Sequence, residues 1–432
     1  MHDKAPSACP HGTPPPPRTP APDLFTWEFA TNPYPAYAWL REHAPVHRTE
    51  LPSGVEAWLV TRYADARQAL ADQRLSKNPA HHDEPAHAKG KTGIPGERKA
   101  ELMTHLLNID PPDHTRLRRL VSKAFTPRRV AEFAPRVQEL TDQLIDAFLD
   151  KPEEQGTADL IHEFAFPLPI YAICDLLGVP REDQDDFRDW AGMMIRHGGG
   201  PRGGVARSVK KMRGYLAELI HRKRSDPGDD LISGLIRASD HGEHLTENEA
   251  AAMAFILLFA GFETTVNLIG NGTYALLTHP EQRERLQRSL AAGDTGLLET
   301  GVEELLRFDG PVELATWRFA TEPLRVGGQD IAAGDPVLVV LAAADRDPAR
   351  FPDPDLLDLS RSDNQHLGYG HGIHYCLGAP LARLEGQTAL ATLLRRLPDL
   401  QLAVDPEELR WRGGLIMRGL RTLPVTFTPP AR

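Results

Sequence analysis

The run Leu367-Gly368-Tyr369-Gly370-His371-Gly372-Ile373-His374-Tyr375-Cys376-Leu377-Gly378-Ala379-Pro380 governs the reading of this chain. Its glycines let the backbone approach a flat ligand closely and permit positive φ. After Cys376 the apolar spacing turns helical through Leu381, Leu384 and Leu390. The cysteine therefore stands where a loop becomes a helix. There the helix dipole and free N–H groups favour a thiolate. A thiolate so held is a strong fifth ligand for haem iron and pushes electron density that helps split O–O. A buried, inert thiol is the ordinary state of a free cysteine. Taken alone, Cys376 leaves both readings open.

Size and composition narrow the rest. The chain has 432 residues, 41% of them hydrophobic and 25% charged, which suits a globular protein. A net charge of −11 with no basic tail argues against a general nucleic-acid binder. Three cysteines, Cys9, Cys174 and Cys376, make no disulfide framework and fit a reducing cytoplasm. No basic segment followed by an apolar run opens the chain, and the apolar stretch Ala250 to Phe262 is too short to span a bilayer. No membrane anchor is expected. Residues 1–22, with Pro14-Pro15-Pro16-Pro17, read as an extended tail. No linker divides residues 23–432, so one domain is expected there.

Helical periodicity is expected over Pro33–Glu42, Tyr63–Leu70, His114–Phe125, Pro127–Asp150, Phe164–Leu177, Val205–Arg224, Asp230–Ala238, Thr246–Thr278, Glu281–Ala291 and Leu297–Arg307. Short strands are expected over Glu56–Thr61 and within Ala315–Val340. Ser76–Asn108 reads as a long functional loop. Its His81, His82 and His87 lack the spacing and further ligands of a metal site. Gly198-Gly199-Gly200-Pro201 breaks two helical stretches.

Three more clusters carry chemistry. Ala260-Gly261-Phe262-Glu263-Thr264-Thr265 lies inside the long helical stretch. Glycine inside a helix costs roughly 1 kcal/mol against alanine, so Gly261 marks a close approach from outside. Thr264 stands four residues after Ala260, where its hydroxyl can bond that carbonyl and widen the helix. An acid beside an alcohol there makes a proton relay. Glu304-Leu305-Leu306-Arg307 puts an acid and a base on one helical face. Asp110-Pro111-Pro112-Asp113-His114-Thr115-Arg116-Leu117-Arg118 does the same for His114 and Arg118. Each of these alone is equally well a solvated or core helix face.

Together, and in this order, the four elements resemble those of the cytochrome P-450 family. The cysteine run resembles its haem-binding loop, aromatic-Gly-x-Gly-x-His/Arg-x-Cys-x-Gly. Tyr369 stands where Phe is usual, and its hydroxyl needs water or a partner. The second cluster resembles the oxygen-activating Ala/Gly-Gly-x-Asp/Glu-Thr, and the third the Glu-x-x-Arg element. Within the family the likeness runs to bacterial macrolide hydroxylases and to relatives that accept steroids or vitamin D. It is carried by Leu257–Asn267, Gly310–Glu313 and the cysteine loop.

The resemblance implies a mainly α fold with a small β region, holding haem b between two central helices. It makes Cys376 the axial thiolate, with Gly261, Tyr369, Gly370 and Gly378 against the haem. Thr264 then hydrogen-bonds the oxygen being activated, and Glu263 helps deliver protons. Glu304 and Arg307, joined by Arg361, brace the loop; Leu357 stands where Phe is common. His114, Arg118, Arg318 and His374 meet the two propionates, because buried carboxylates need charged partners. Arg116, Arg119 and Lys123 are simply solvated or help dock an acidic electron donor.

By analogy with the family, the substrate pocket draws on the loop 76–108, Trp190–Ile195, the helix face near Phe255, Leu258 and Phe259, the stretch Val312–Thr316, and Ile416-Met417. That apolar lining suits a large lipophilic substrate. Glu313 either reads a cationic or hydroxyl group on it or is a plain surface carboxylate. Met193 and Met194 are pocket wall or ordinary packing. The expected reaction inserts one atom of O2 into a lipophilic small molecule such as a macrolide or other polyketide, by hydroxylation or epoxidation. Electrons come from a ferredoxin and its NAD(P)H-dependent reductase, since the chain has no flavin or nicotinamide motif. The alternatives are a steroid or vitamin D-type hydroxylase, a haem-thiolate enzyme that couples or rearranges its substrate, a peroxygenase, and a non-enzymatic haem binder. Retention of Glu263 and Thr264 argues against the last two.

Overall fold

A computed structural model describes residues 21–81, 105–151, 156–195, 204–240 and 242–429. Most of the proline-rich tail, His82, His87 and the glycine run at 198–200 lie outside these residues. The chain is mainly helical, and helix Glu247–Thr278 forms its centre. This helix is started by a capping box: Thr246 Oγ1 accepts from Glu249 N, and the Glu249 carboxylate accepts from Thr246 N. Pro167–Leu177, Gly204–Ser225, Gly296–Asp309 and Ala379–Arg396 pack around it. Among the described residues it is the helix long and apolar enough to cross a membrane, but its apolar window is mostly buried within the protein.

The β region is small and lies to one side. Its largest sheet has five strands in the order Val46–Glu50, Glu56–Val60, Pro336–Val339, Arg318–Ala320, Leu75–Ser76. Pro336–Val339 runs parallel to Glu56–Val60, with Val337 opposite Trp58, and antiparallel to Arg318–Ala320. The buried faces of Val337, Val339 and Val60 join this sheet to helix Tyr63–Ala71.

Most expected helices stand within a residue or two of their sequence bounds. One is split: Pro127–Asp150 is two helices, Pro127–Glu132 and Ala134–Leu149, meeting at Phe133. Pro135 explains the break. Proline has no N–H and clashes with the preceding turn, so it is tolerated only in the first turn of a new helix. The helix expected to begin at Phe164 begins at Pro167, after a π-type turn over Ile161–Ala165.

Candidate active site

The cysteine loop is held by its own backbone. Cys376 N donates to Tyr369 O at 2.9 Å, Gly370 N to Leu367 O at 2.7 Å, and Tyr375 N to Gly372 O at 3.1 Å. Gly370 has φ +75°, where a side chain would be strained. Helix Ala379–Arg396 begins two residues past Gly378's neighbour Leu377, with Pro380 in its first turn. The amides of Gly378 and Ala379 point at the Cys376 sulfur, and a side chain at 378 would come within 3.8 Å of it. Cys376 itself is exposed at the surface of the fold; desolvation by the atoms around it pushes the thiol up, while those amides, Arg118 and Arg383 pull it down. The net direction is upward, so the helix terminus alone does not make the thiolate; a metal cation bound at sulfur would favour it. The other described cysteine, Cys174, is buried among apolar side chains, and burial raises its thiol strongly.

Behind the loop lies a buried ion network. Glu304 and Arg307 are fully buried and paired in two parallel bonds of 2.7 and 2.8 Å. Arg361 Nε reaches the same carboxylate at 3.1 and 3.2 Å, and Asp358 N and Asn364 Nδ2 complete its shell. Arg307 also donates to the carbonyls of Asp345, Pro354 and Leu356. Asp345 in turn accepts from Leu367 N, the first residue of the cysteine run, at 2.6 Å. The Glu-x-x-Arg pair thus grips the loop's base through one intermediary.

On the inner side of the loop, His114, Arg118, Arg318 and His374 converge, and the charge of Asp110 reaches Arg318 and His114. The His114 and His374 rings pack at 4.4 Å, and the buried His114 Nε2 has no hydrogen-bond partner among the described residues. Arg118 Nη2 donates to Tyr375 O at 2.9 Å. Arg318 is buried and among the described residues donates to two carbonyls, Thr316 O at 3.3 Å and Leu70 O at 3.4 Å, with the charge of Asp110 acting on it. Burial lowers its pKa to about 10. Burial, then Lys77, His114 and Arg318, lower that of His374 to about 2. Lys77 and His105 join this cluster and no motif pointed to them. Lys77 is buried, with Nζ bonded to Thr316 and Trp317. Burial takes His105 to about 4. The buried Arg318 guanidinium, which ion-pairs with no carboxylate among the described residues, calls for an anion. Two carboxylates of a haem meet that need, and the orphaned His114 nitrogen supplies a further donor.

The central helix supplies the opposite wall. Most of its side chains are buried, yet Ala260 is exposed and Leu257, Gly261 and Thr264 are half-exposed. These positions fall at i, i+3, i+4 and i+7, one helical face. Thr264 Oγ1 donates to Ala260 O at 2.8 Å, as its spacing predicts, although the helix runs unbroken as α. Glu263 is buried beside that face, where its charge acts on the half-buried Arg412. Gly261 is closely approached from outside its helix, as its place predicts, by Ile173 of Pro167–Leu177, 3.4 Å from where a side chain would start.

The pocket residues divide. Val312 pairs with Met417 across a β-bridge, and Glu313 N donates to Ile416 O at 2.8 Å, so these two distant segments lie side by side. Val312, Ile416 and Met417 are half-buried. Phe259 is half-buried and stacks on Phe255 at 6.3 Å. Leu258 points the other way, into the core, and Leu257 holds the open face in its place. Glu313 is not the surface carboxylate that one reading allowed. It is buried, takes a 2.5 Å hydrogen bond from Tyr37 OH, and is raised by that burial. Trp190 packs between Phe187 and Tyr215.

A sequence model of the cytochrome P-450 family matches residues 201–408. PikC, a cytochrome P-450 monooxygenase of Streptomyces venezuelae, is 49% identical over 401 residues, 93% of this chain and 92% of that one. The chain belongs to the cytochrome P-450 family. The vitamin D(3) 25-hydroxylase of Pseudonocardia autotrophica is 45% identical, covering 94% of this cytochrome P-450 and 96% of that enzyme. Among solved structures, PksS, a cytochrome P-450 of the bacillaene polyketide synthase of Bacillus subtilis 168, superposes with a TM-score of 0.83. It is 39% identical over 94% of this chain and 99% of its own. The protein is a haem-thiolate monooxygenase of bacterial type; it takes O2 and draws electrons from a redox partner.

Proposed function

We propose that this cytochrome P-450 hydroxylates or epoxidises a polyketide, with a ferredoxin and its NAD(P)H-dependent reductase as electron source in the cytoplasm. The domain is the span 23–432 acting as one unit. The reading is carried by an exposed strip on an otherwise buried helix, Leu257 to Thr264, which ends in an acid–alcohol pair. Likeness to PksS supports the polyketide class.

In this reading Cys376 holds the iron and Arg118, Arg318, His114 and His374 hold the propionates. When bound, the haem supplies reductive cleavage of O2 and transfer of one oxygen atom to carbon. The residues of the chain do the rest. Thr264 Oγ1 rests on the Ala260 carbonyl and can turn its proton toward the open side of the helix. Glu263, the adjacent acid, resupplies that proton. Val312, Ile416, Met417 and Leu257 present apolar surface that orients a lipophilic substrate and excludes water.

The test uses purified holoprotein titrated with macrolides and other polyketide lactones, and separately with sterols and vitamin D3. The expected result is a low-to-high-spin shift with a lactone. Turnover with ferredoxin, reductase and NAD(P)H should then give a product one oxygen atom heavier. A shift with sterols alone would favour the second reading, a vitamin D-type hydroxylase, which the 45%-identical relative supports. A product without added oxygen would replace oxygenation by coupling or rearrangement.

A further inference from the structure

Helix Ala379–Arg396 returns a cation to the loop it follows. Arg383 lies seven residues after Cys376, two helical turns on. Its guanidinium grips Glu303 in two bonds, Nε to Oε1 at 2.7 Å and Nη2 to Oε2 at 2.8 Å. It lies over the face of the Tyr369 ring, 4.5 Å from the centroid. Nη2 also approaches Tyr375 OH at 3.4 Å. Tyr375 precedes the cysteine, and Tyr369 O accepts the Cys376 amide. Glu303 is held from its other side by the buried His366, 3.2 Å away, whose Nδ1 accepts from Gly368 N. A fixed positive charge and its fixed counter-ion therefore flank the thiolate loop.

We infer that Arg383 and Glu303 are positioning residues that set the reduction potential of the haem iron. This rests on Cys376 being its axial ligand. Arg383 touches Tyr375, which precedes the cysteine, and Tyr369, whose carbonyl accepts the cysteine amide, so its charge withdraws electron density from the thiolate and favours the reduced state. Glu303 fixes the guanidinium and offsets part of its charge. The ring of Tyr369 is the contact between them and the loop, because an aromatic face attracts a guanidinium. The two charges act on the potential with opposite sign. A bracing role would not, since loss of either partner loosens the same clamp.

The experiment is a spectroelectrochemical titration of substrate-free holoprotein, for wild type, Arg383→Gln, Arg383→Lys and Glu303→Gln. The expected result is a shift to more negative potential in Arg383→Gln, largely restored in Arg383→Lys. Glu303→Gln should shift to more positive potential. The reduced, CO-bound spectrum of each should keep the strongly red-shifted band of thiolate ligation. Equal potentials throughout, or shifts of the same sign in Arg383→Gln and Glu303→Gln, would overturn the inference. If Arg383→Gln fails to retain haem, the sign in Glu303→Gln decides alone. Cys376→Ser separates the two levels of the reading. If it keeps the red-shifted band, the axial assignment has failed, whatever the potentials do.

Discussion

Arg307 and Glu304 meet with no solvent on either side chain, at 2.7 and 2.8 Å, three residues apart on one helix. They are the anchor from which the cysteine loop hangs, through Asp345 and Leu367 N. Breaking a buried pair leaves an uncompensated charge in low dielectric, at a cost of about 3–5 kcal/mol. Arg307→Ala should therefore lose most of its holoprotein and unfold at much lower denaturant. Chemical denaturation followed by the CO-bound spectrum checks this. A variant with wild-type midpoint and spectrum would deny the pair its bracing role.

Thr264→Val keeps the shape of the side chain and deletes its hydroxyl. Its effect should fall on coupling rather than on the iron. NAD(P)H consumption continues, product per electron pair drops, and hydrogen peroxide rises. The CO-bound spectrum stays unchanged. A proton-transfer group is worth roughly 10²–10⁴-fold in rate. Coupling at the wild-type level would remove Thr264 from the relay.

Arg318 is a buried cation whose hydrogen bonds, among the described residues, go to carbonyl groups. A hydrogen bond to a charged group contributes about 1.5–3 kcal/mol. Arg318→Gln should thus weaken haem retention about ten- to hundred-fold on those energies. Haem transfer to apomyoglobin measures it. Unchanged transfer kinetics would mean that a propionate does not meet Arg318.

Glu385 sits on Ala379–Arg396, buried beside Thr265 of the central helix. Burial raises its carboxyl from 4.5 to about 8. The native state then holds a proton that the unfolded state releases. Stability attached to this group is full below pH ~4.5 and falls as pH rises to about 8. The slope is about 1.4 kcal/mol per pH unit at most. Glu385→Gln keeps the size and cannot ionise. It should match wild type near pH 5 and exceed it near pH 8 in urea midpoint. A constant difference across that range would show that Glu385 does not titrate there.

Tyr37→Phe leaves Glu313 buried without its donor, at a cost of about 1–3 kcal/mol. Thermal unfolding should report that loss while the CO-bound spectrum stays intact. A wild-type melting temperature would return Glu313 to the pocket as a candidate substrate contact.

What could be read from the chain alone was whatever is local in sequence. The cysteine loop, the acid–alcohol pair and the Glu-x-x-Arg pair each lie within a few residues, so spacing alone brings their groups onto one turn or one face. Helix starts were legible for the same reason: Thr246 with Glu249 caps one helix by short-range hydrogen bonding, and Pro380, whose fixed φ suits a first turn, begins another. Pro135 was equally legible in principle, since one proline suffices to split a helix.

The tertiary structure decided which way each side chain faces and what it meets. Only the fold carries Lys77 and His105 to Arg318 and His374, because the cluster forms from four segments that share no motif. Only packing shows that Gly261 admits Ile173, that Leu258 is core where Leu257 is open, and that Glu313 belongs to Tyr37. A residue's type and spacing determine the turn it sits on. Its partner, burial and charge state depend on groups hundreds of residues away, and those are set by how the helices close on one another.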